Sequence, residues 1–294
     1  MTERTTPQIE LSAAQASEFW TGKRKQRFWR GVQTILILIA AFIMLIPIIW
    51  IFLAAFKSHV EVYQLRLFFT PTLENFGTVF EEPYDLGSKL YNSTIVAFVT
   101  VIFAIPIATM AAYSFSRFRL KFETTILVVI LATQFVPAVV IILPFFIMFR
   151  DVGLLDTRLG LILVNLAIVM PFAIWMIKGF IDGIPMDTEE AAMVDGSSRL
   201  QVIKNIVLPM AAPGLVTASI FCFILAWNEF LFALFLTNRE AVTLPIGLAL
   251  FRGEEGDLWN LLSAAGIIIM APMFVLALAI RKYFVQGMTM GAVR

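Results

Sequence analysis

Six stretches of this chain are almost purely apolar: residues 32–56, 91–116, 124–149, 159–177, 214–236 and 261–280. Charged residues make up 15% of the chain, yet the only one inside these stretches is Glu229. A helix needs about 20 apolar residues, each rising about 1.5 Å, to cross the hydrocarbon layer. Lipid cannot satisfy exposed backbone N–H and C=O groups, so helix is the only sensible conformation for such runs. The pattern predicts an all-α membrane protein with six transmembrane helices. Buried core helices of a soluble protein would not repeat six times at this length.

The balance of the composition agrees. Hydrophobic residues reach 60% and mean hydropathy is +0.86, far from the profile of a soluble enzyme or a disordered linker. A net charge of +1 gives no sign of nucleic-acid binding. One cysteine, Cys222, excludes an internal disulfide, and one histidine, His59, excludes multi-histidine metal sites.

Basic residues orient the chain. Lys23, Arg24, Lys25, Arg27 and Arg30 precede the first run, which favours a cytoplasmic N-terminus. The first run begins too late and runs too long for a signal-peptide core. Six crossings then return the C-terminus to the cytoplasm. This topology puts 15 of the 22 Lys/Arg inside. Segment 178–213 does not contribute to the bias, with five acids against three bases. Residues 57–90 and 237–260 become outer loops, 178–213 a long inner loop, and 117–123 and 150–158 tight turns.

The inner loop is patterned. Asp187 and Glu190 have the spacing of a capping box, which predicts a short helix starting there. Gly196 fits the C′ residue that ends it. Ser197 or Ser198 can cap a second short helix, with Leu200, Ile203, Ile206 and Val207 on one face and Pro209 as its stop. Helices this short are marginal in water and need something to pack against. A partner-docking element is the expectation; an ordinary connector is the alternative.

The run Glu190-Ala191-Ala192, three residues, Gly196, nine residues, then Ile206-Val207-Leu208-Pro209 resembles the EAA loop of ABC importer permeases. Flanking segments resemble the carbohydrate, MalG-type branch of that family. They are Asn92-Ser93, Ala111 to Arg117, Gly153 to Thr157, Pro171-Phe172, Trp227-Asn228-Glu229-Phe230 and Gly287 to Val293. Glu229 stands where the family usually has Asp, and Ser197 where Ala is common.

The resemblance implies a type I importer permease (MetI-like) fold and the subunit of an ATP-driven, binding-protein-dependent sugar importer that forms half of its pathway. On this reading the chain is a multi-pass protein of a bacterial-type inner membrane, in which residues 1–31 are a cytoplasmic segment, 32–90 the first membrane helix and outer loop, 91–285 the permease core with its coupling loop at 183–209, and 286–294 a cytoplasmic tail. Glu190, Ala191, Ala192, Asp195, Gly196, Ile206, Leu208 and Pro209 would couple to the ATPase, Glu190 through a charged contact and Gly196 by setting the angle between the two short helices. Two ATPase copies, a second and related permease chain, an external solute-binding protein and membrane lipid are the implied partners. Loop 237–260 would reach the binding protein and the tail would pack between the ATPase subunits. A non-sugar solute, such as a polyol or glycerol phosphate, is the alternative cargo.

No catalytic residue, metal or cofactor is expected in the chain itself, with ATP and Mg held by the partner ATPase. Gly22-Lys23 is followed by Arg24 and preceded by Ser17 where a phosphate-binding loop needs glycine. Candidates for the translocation path are Asn92, Gln134, Asn165, Trp227, Asn228 and Glu229. Bonding between helices is the competing role for the three amides, a structural hydrogen bond for Glu229, and apolar packing for Trp227. Pro47, Pro106, Pro137, Pro144, Pro171 and Pro272 predict breaks or kinks. A membrane protease fails on its motif, since Glu189-Glu190 is followed by Val194 where arginine would be needed. A secondary transporter would place several charges at midplane, and this chain offers one.

Overall fold

The computed structural model describes residues 8–64, 66–118, 121–253 and 256–290. Helix α1 spans Gln8–Ala55 and α2 Glu74–Thr78. Then come α3 (Leu86–Arg117), α4 (Glu123–Ala132), α5 (Ala138–Asp151) and α6 (Arg158–Asp182). The inner loop holds α7 (Met186–Val194) and α8 (Arg199–Val202), followed by α9 (Leu208–Trp227). Two short helices, α10 (Leu231–Leu236) and α11 (Leu244–Ala249), precede α12 (Trp259–Met290). The contacts divide the chain after Leu53, so residues 57–85 belong to the larger unit that begins at Ala54.

Among the described residues, five helices are long and apolar enough to cross a membrane: Phe28–Ala55, Leu86–Arg117, Arg158–Asp182, Arg199–Trp227 and Trp259–Leu278. The third apolar run becomes a sixth crossing only as a bent pair, Glu123–Phe135 and Ala138–Asp151, with a 93° angle between its halves. Pro137 causes the break. It lacks the N–H that would continue the helix, and it pushes Val136 into an extended conformation (φ −72°, ψ 119°). The other five prolines named above lie inside continuous helices.

The larger unit is built around α3, α6 and α9. Small residues one helical turn apart, Ala104, Ala108 and Ala112 on α3, face Val169, Ala173 and Ile177 of α6 and Ala211, Ala218 and Cys222 of α9. In lipid there is no hydrophobic drive between helices, so close backbone approach through small residues is what holds them together. A second cluster gathers Phe223, Trp227, Leu244, Phe251 and Leu261, and a third gathers Val96, Phe149, Leu161 and Phe232.

The fifth apolar run is not one helix. It breaks at Asn228–Phe230 between α9 and α10. At its start it extends the other way, because α8 runs through a π turn at Ile203–Val207 directly into α9. The expected stop at Pro209 is therefore overturned. The wider π turn just before Pro209 makes room for a ring that would otherwise crowd the preceding turn. The second short helix of the inner loop is the first part of a membrane helix.

Candidate functional site

Two hydrogen-bonded clusters sit at opposite ends of α3. The first holds α7. Pro185, not Asp187, is the residue before this helix, and no side chain caps it, so the capping box expected at Asp187–Glu190 does not form. The helix starts two residues early because Pro185 fixes the backbone there (φ −59°, ψ 131°). Asp187 and Glu189 then lie in the first turn, where they favour the positive end of the helix dipole.

The far end of α7 follows the expectation. Gly196 has φ +92°, its N–H bonds Met193 O at 3.1 Å, and the Ser197 N–H bonds Ala192 O at 3.0 Å. This is the Schellman closure of a helix. Ser198 forms a capping box with Gln201 and opens α8. Val202 and Val207 are buried in the core, Ile203 and Ile206 are half-buried, and Leu200 is 71% exposed, so Leu200 does not join that apolar face.

The one fully buried residue of α7 is Glu189, which the sequence reading passed over. Its Oε1 accepts from Arg117 Nε at 2.7 Å, with side-chain exposures of 3% and 7%. Its Oε2 accepts from the Tyr113 hydroxyl at 3.0 Å. Arg117 also donates through Nη2 to Ile181 O at 2.9 Å and Ile184 O at 3.0 Å, and through Nη1 to Ser116 Oγ at 2.9 Å. Ser116 Oγ donates to Asp182, which pairs with Lys178 at 2.9 Å, and Lys178 lies 3.4 Å from Glu123. Tyr113 and Arg117 lie within a segment singled out in the sequence, but their partner there was not apparent.

The coupling candidates surround this anchor on the outside. Glu190, Ala191, Asp195, Gly196 and Pro209 are exposed, while Ala192, Ile206 and Leu208 are half-buried. Met186, Met193 and Val194 are exposed beside them, Val194 to 88%. Next to this end, a groove of about 970 Å³ runs between α4, the end of α6 and the start of α9. Leu127, Leu131, Trp175 and Met210 wall it, and Glu123, Lys178 and Asp182 lie at its rim.

The second cluster pins the segment between α10 and α11. The carboxylate of Asp156 accepts from the backbone N–H groups of Asn238, Arg239, Glu240 and Ala241 at 3.0–3.2 Å. Partial burial pushes this carboxyl's pKa up, but the four N–H bonds outweigh it and hold it below the ordinary value. Asn92 Nδ2 donates to Glu240 O and Val242 O, both at 2.9 Å, and its Oδ1 accepts from Arg158 Nε at 2.7 Å. Ser93 Oγ accepts from Leu244 N at 2.8 Å.

The remaining path candidates are spread out. Trp227 is buried and stacks on Phe223 with ring centroids 5.4 Å apart. Asn228 bonds back to Ile224 O at 2.8 Å. Glu229 accepts from Phe232 N at 2.7 Å and Ala233 N at 3.0 Å, which caps α10. Gln134 donates to Ile168 O at 3.0 Å, fastening the 93° bend to α6. Asn165 is buried and donates to Leu161 O at 2.9 Å. Gln286–Met290 continue α12, and residues 291–294 of the expected tail lie outside the described residues.

Residues 104–290 match the family described as the inner membrane component of binding-protein-dependent transport systems. The chain belongs to this family. It is 33% identical over 271 residues to the trehalose/maltose transport system permease protein MalG of Thermococcus litoralis, covering 90% of this chain and 98% of the relative. It is 34% identical over 278 residues to the trehalose transport system permease protein SugB of Mycobacterium tuberculosis, covering 93% and 99%. A crystal structure of a bacterial ABC transporter that imports the acidic polysaccharide alginate superposes with a TM-score of 0.75 at 26% identity, covering 89% of this chain and 98% of that one. The permease therefore has the type I importer (MetI-like) fold, and its polar clusters stand on the frame that such importers share.

Proposed function

We propose that this permease forms half of the pathway of an ATP-driven carbohydrate importer and is driven through α7 by a separate ATPase. The observation that carries this reading is the surface of α7. A nine-residue helix that turns Glu190 and three apolar side chains outward and buries one carboxylate inward is built to be covered by another protein. The charge bias of the sequence puts this surface in the cytoplasm, where ATP is available. The second cluster then faces outward, and the pinned segment that it carries can meet a solute-binding protein.

Carbohydrate as the cargo class rests on the relatives, which are named for trehalose, maltose and alginate. Their sizes differ so widely that the individual sugar is left to the receptor and to a second permease chain. ATP and Mg belong to the ATPase, two copies of which complete the assembly.

Reconstitution tests this reading. The permease, purified from its native membrane with every co-purifying chain, is placed in liposomes with its binding protein and ATP inside. Sugar uptake that needs ATP and the binding protein supports it. Uptake driven by membrane potential without an ATPase, or selective uptake of a non-carbohydrate solute, overturns it.

A further inference from the structure

The buried pair Arg117–Glu189 joins α7 to the end of α3, and we propose that Arg117 and Glu189 are positioning residues that make α3 move with α6, α7 and α9 as one body. The inference rests on the coupling role proposed above for α7.

Apolar packing of α7 on the core is confined to the half-buried Ala192. Its one fully buried side chain is Glu189. The helix has three links to the rest of the permease. Two are covalent: residues 183–185 join it to the end of α6, and Gly196 with the Ser198 capping box leads into α8 and α9. Alone, these would pass a displacement along α6 and α9 but give α7 no hold on α3.

The third link is Glu189. Arg117 sits at the end of α3, and its guanidinium bonds three elements at once: the Glu189 carboxylate, the Ile181 carbonyl at the end of α6, and the Ile184 carbonyl just before α7. Directional, charge-assisted bonds resist sliding in a way that packed methyl groups do not. The chain of bonds goes on from Arg117 to Ser116, Asp182, Lys178 and Glu123, which reaches α4. A push on Glu190 thus arrives at α3 through Glu189, as well as at α6 through residues 183–185 and at α9 through Gly196.

Glu189 and Glu190 are neighbours with opposite tasks. Glu190 is exposed and available to a partner; Glu189 is inside and available only to Arg117 and Tyr113. Loss of Glu189 should leave the docking surface in place and cut the transmission.

The test uses the complete transporter in liposomes, measuring ATPase co-purification and solute moved per ATP hydrolysed. Glu189→Ala should keep the ATPase bound and lower that ratio by about thirtyfold or more, in line with removing one side of a buried charge pair. A second variant, Arg117→Cys/Glu189→Cys in a Cys222→Ala background, should show the same loss. Bridging its two thiols with a short bifunctional thiol reagent should recover a large part of the ratio, which a role in folding alone would not do. An unchanged ratio in Glu189→Ala, loss of the ATPase from that variant, or failure of the bridge to restore the ratio overturns the joint. Failure of the unaltered permease to hold an ATPase overturns the underlying reading instead.

Discussion

A Cβ placed on Gly214 would stand 2.1 Å from Cγ of Phe180. Helices α6 and α9 therefore meet where one of them has no side chain, and the aromatic ring of the other fills the space. The Cβ of Phe180 would be 2.7 Å away, so turning the ring does not relieve the clash.

Gly214→Ala is expected to destabilise the permease by about 1–3 kcal/mol, the usual cost of overfilling a packed site. Thermal unfolding in detergent checks this. Combining it with Phe180→Ala should recover part of the loss, because the two residues share one volume. Additive effects of the two changes would contradict the packing account.

Asp156→Asn is expected to loosen residues 238–241 by about 1 kcal/mol, since an amide oxygen is a weaker acceptor for four N–H groups than a carboxylate. The readout is amide exchange at those positions. The sign of the pH dependence follows from the depressed carboxyl. The anchoring is present above the ordinary value of 3.8 and disappears as pH falls through the lower folded value. Loss of protection on raising the pH from 3.8 towards neutrality would contradict it.

Glu229→Gln and Glu229→Asp should keep transport, because either can still accept from the N–H groups that open α10. Glu229→Leu should cost about 1 kcal/mol through loss of that cap and shift thermal stability. If Gln abolishes uptake at unchanged stability, Glu229 acts on the solute and not on the helix.

Gly196→Leu is expected to cost about 1 kcal/mol or more, because a branched residue at φ +92° is strained. Its larger effect should be on uptake per ATP, since the angle between α7 and α8 is set there. Glu190→Ala, by contrast, should weaken ATPase binding without changing the unfolding temperature. Both are read by co-purification beside thermal unfolding.

Much of the fold was written in the apolar runs, because crossing lipid demands length and apolarity and little else. Hydropathy does not report direction, however: Pro137 marked a break or kink but not its 93° angle, and the break after Trp227 was invisible as a break. Asn228 and Glu229, polar and adjacent, were the only local signal of that break in the fifth run. Gly196 and Ser198 were legible because caps are local chemistry. Glu189 was not. Two neighbouring glutamates look alike in a sequence, and which one turns inward depends on where Arg117 arrives from 72 residues away. Pro209 misled for the opposite reason: a local rule was met by a wider turn placed just before it. Asn92 pointed correctly to bonding between segments, though its partners in the 240–242 stretch are 148 and 150 positions distant.

The unbroken course of Arg199–Trp227 has a geometric consequence. At about 1.5 Å per residue the rod is roughly 42 Å long, so tilting its lower end by about 5° sweeps the upper end through some 3–4 Å. That sweep exceeds the length of any hydrogen bond at the break where Glu229 sits. Whatever turns the rod must either carry α10 along or tear the carboxylate from its two amides, which makes the tip of α9 the place where a stroke is either spent or passed on.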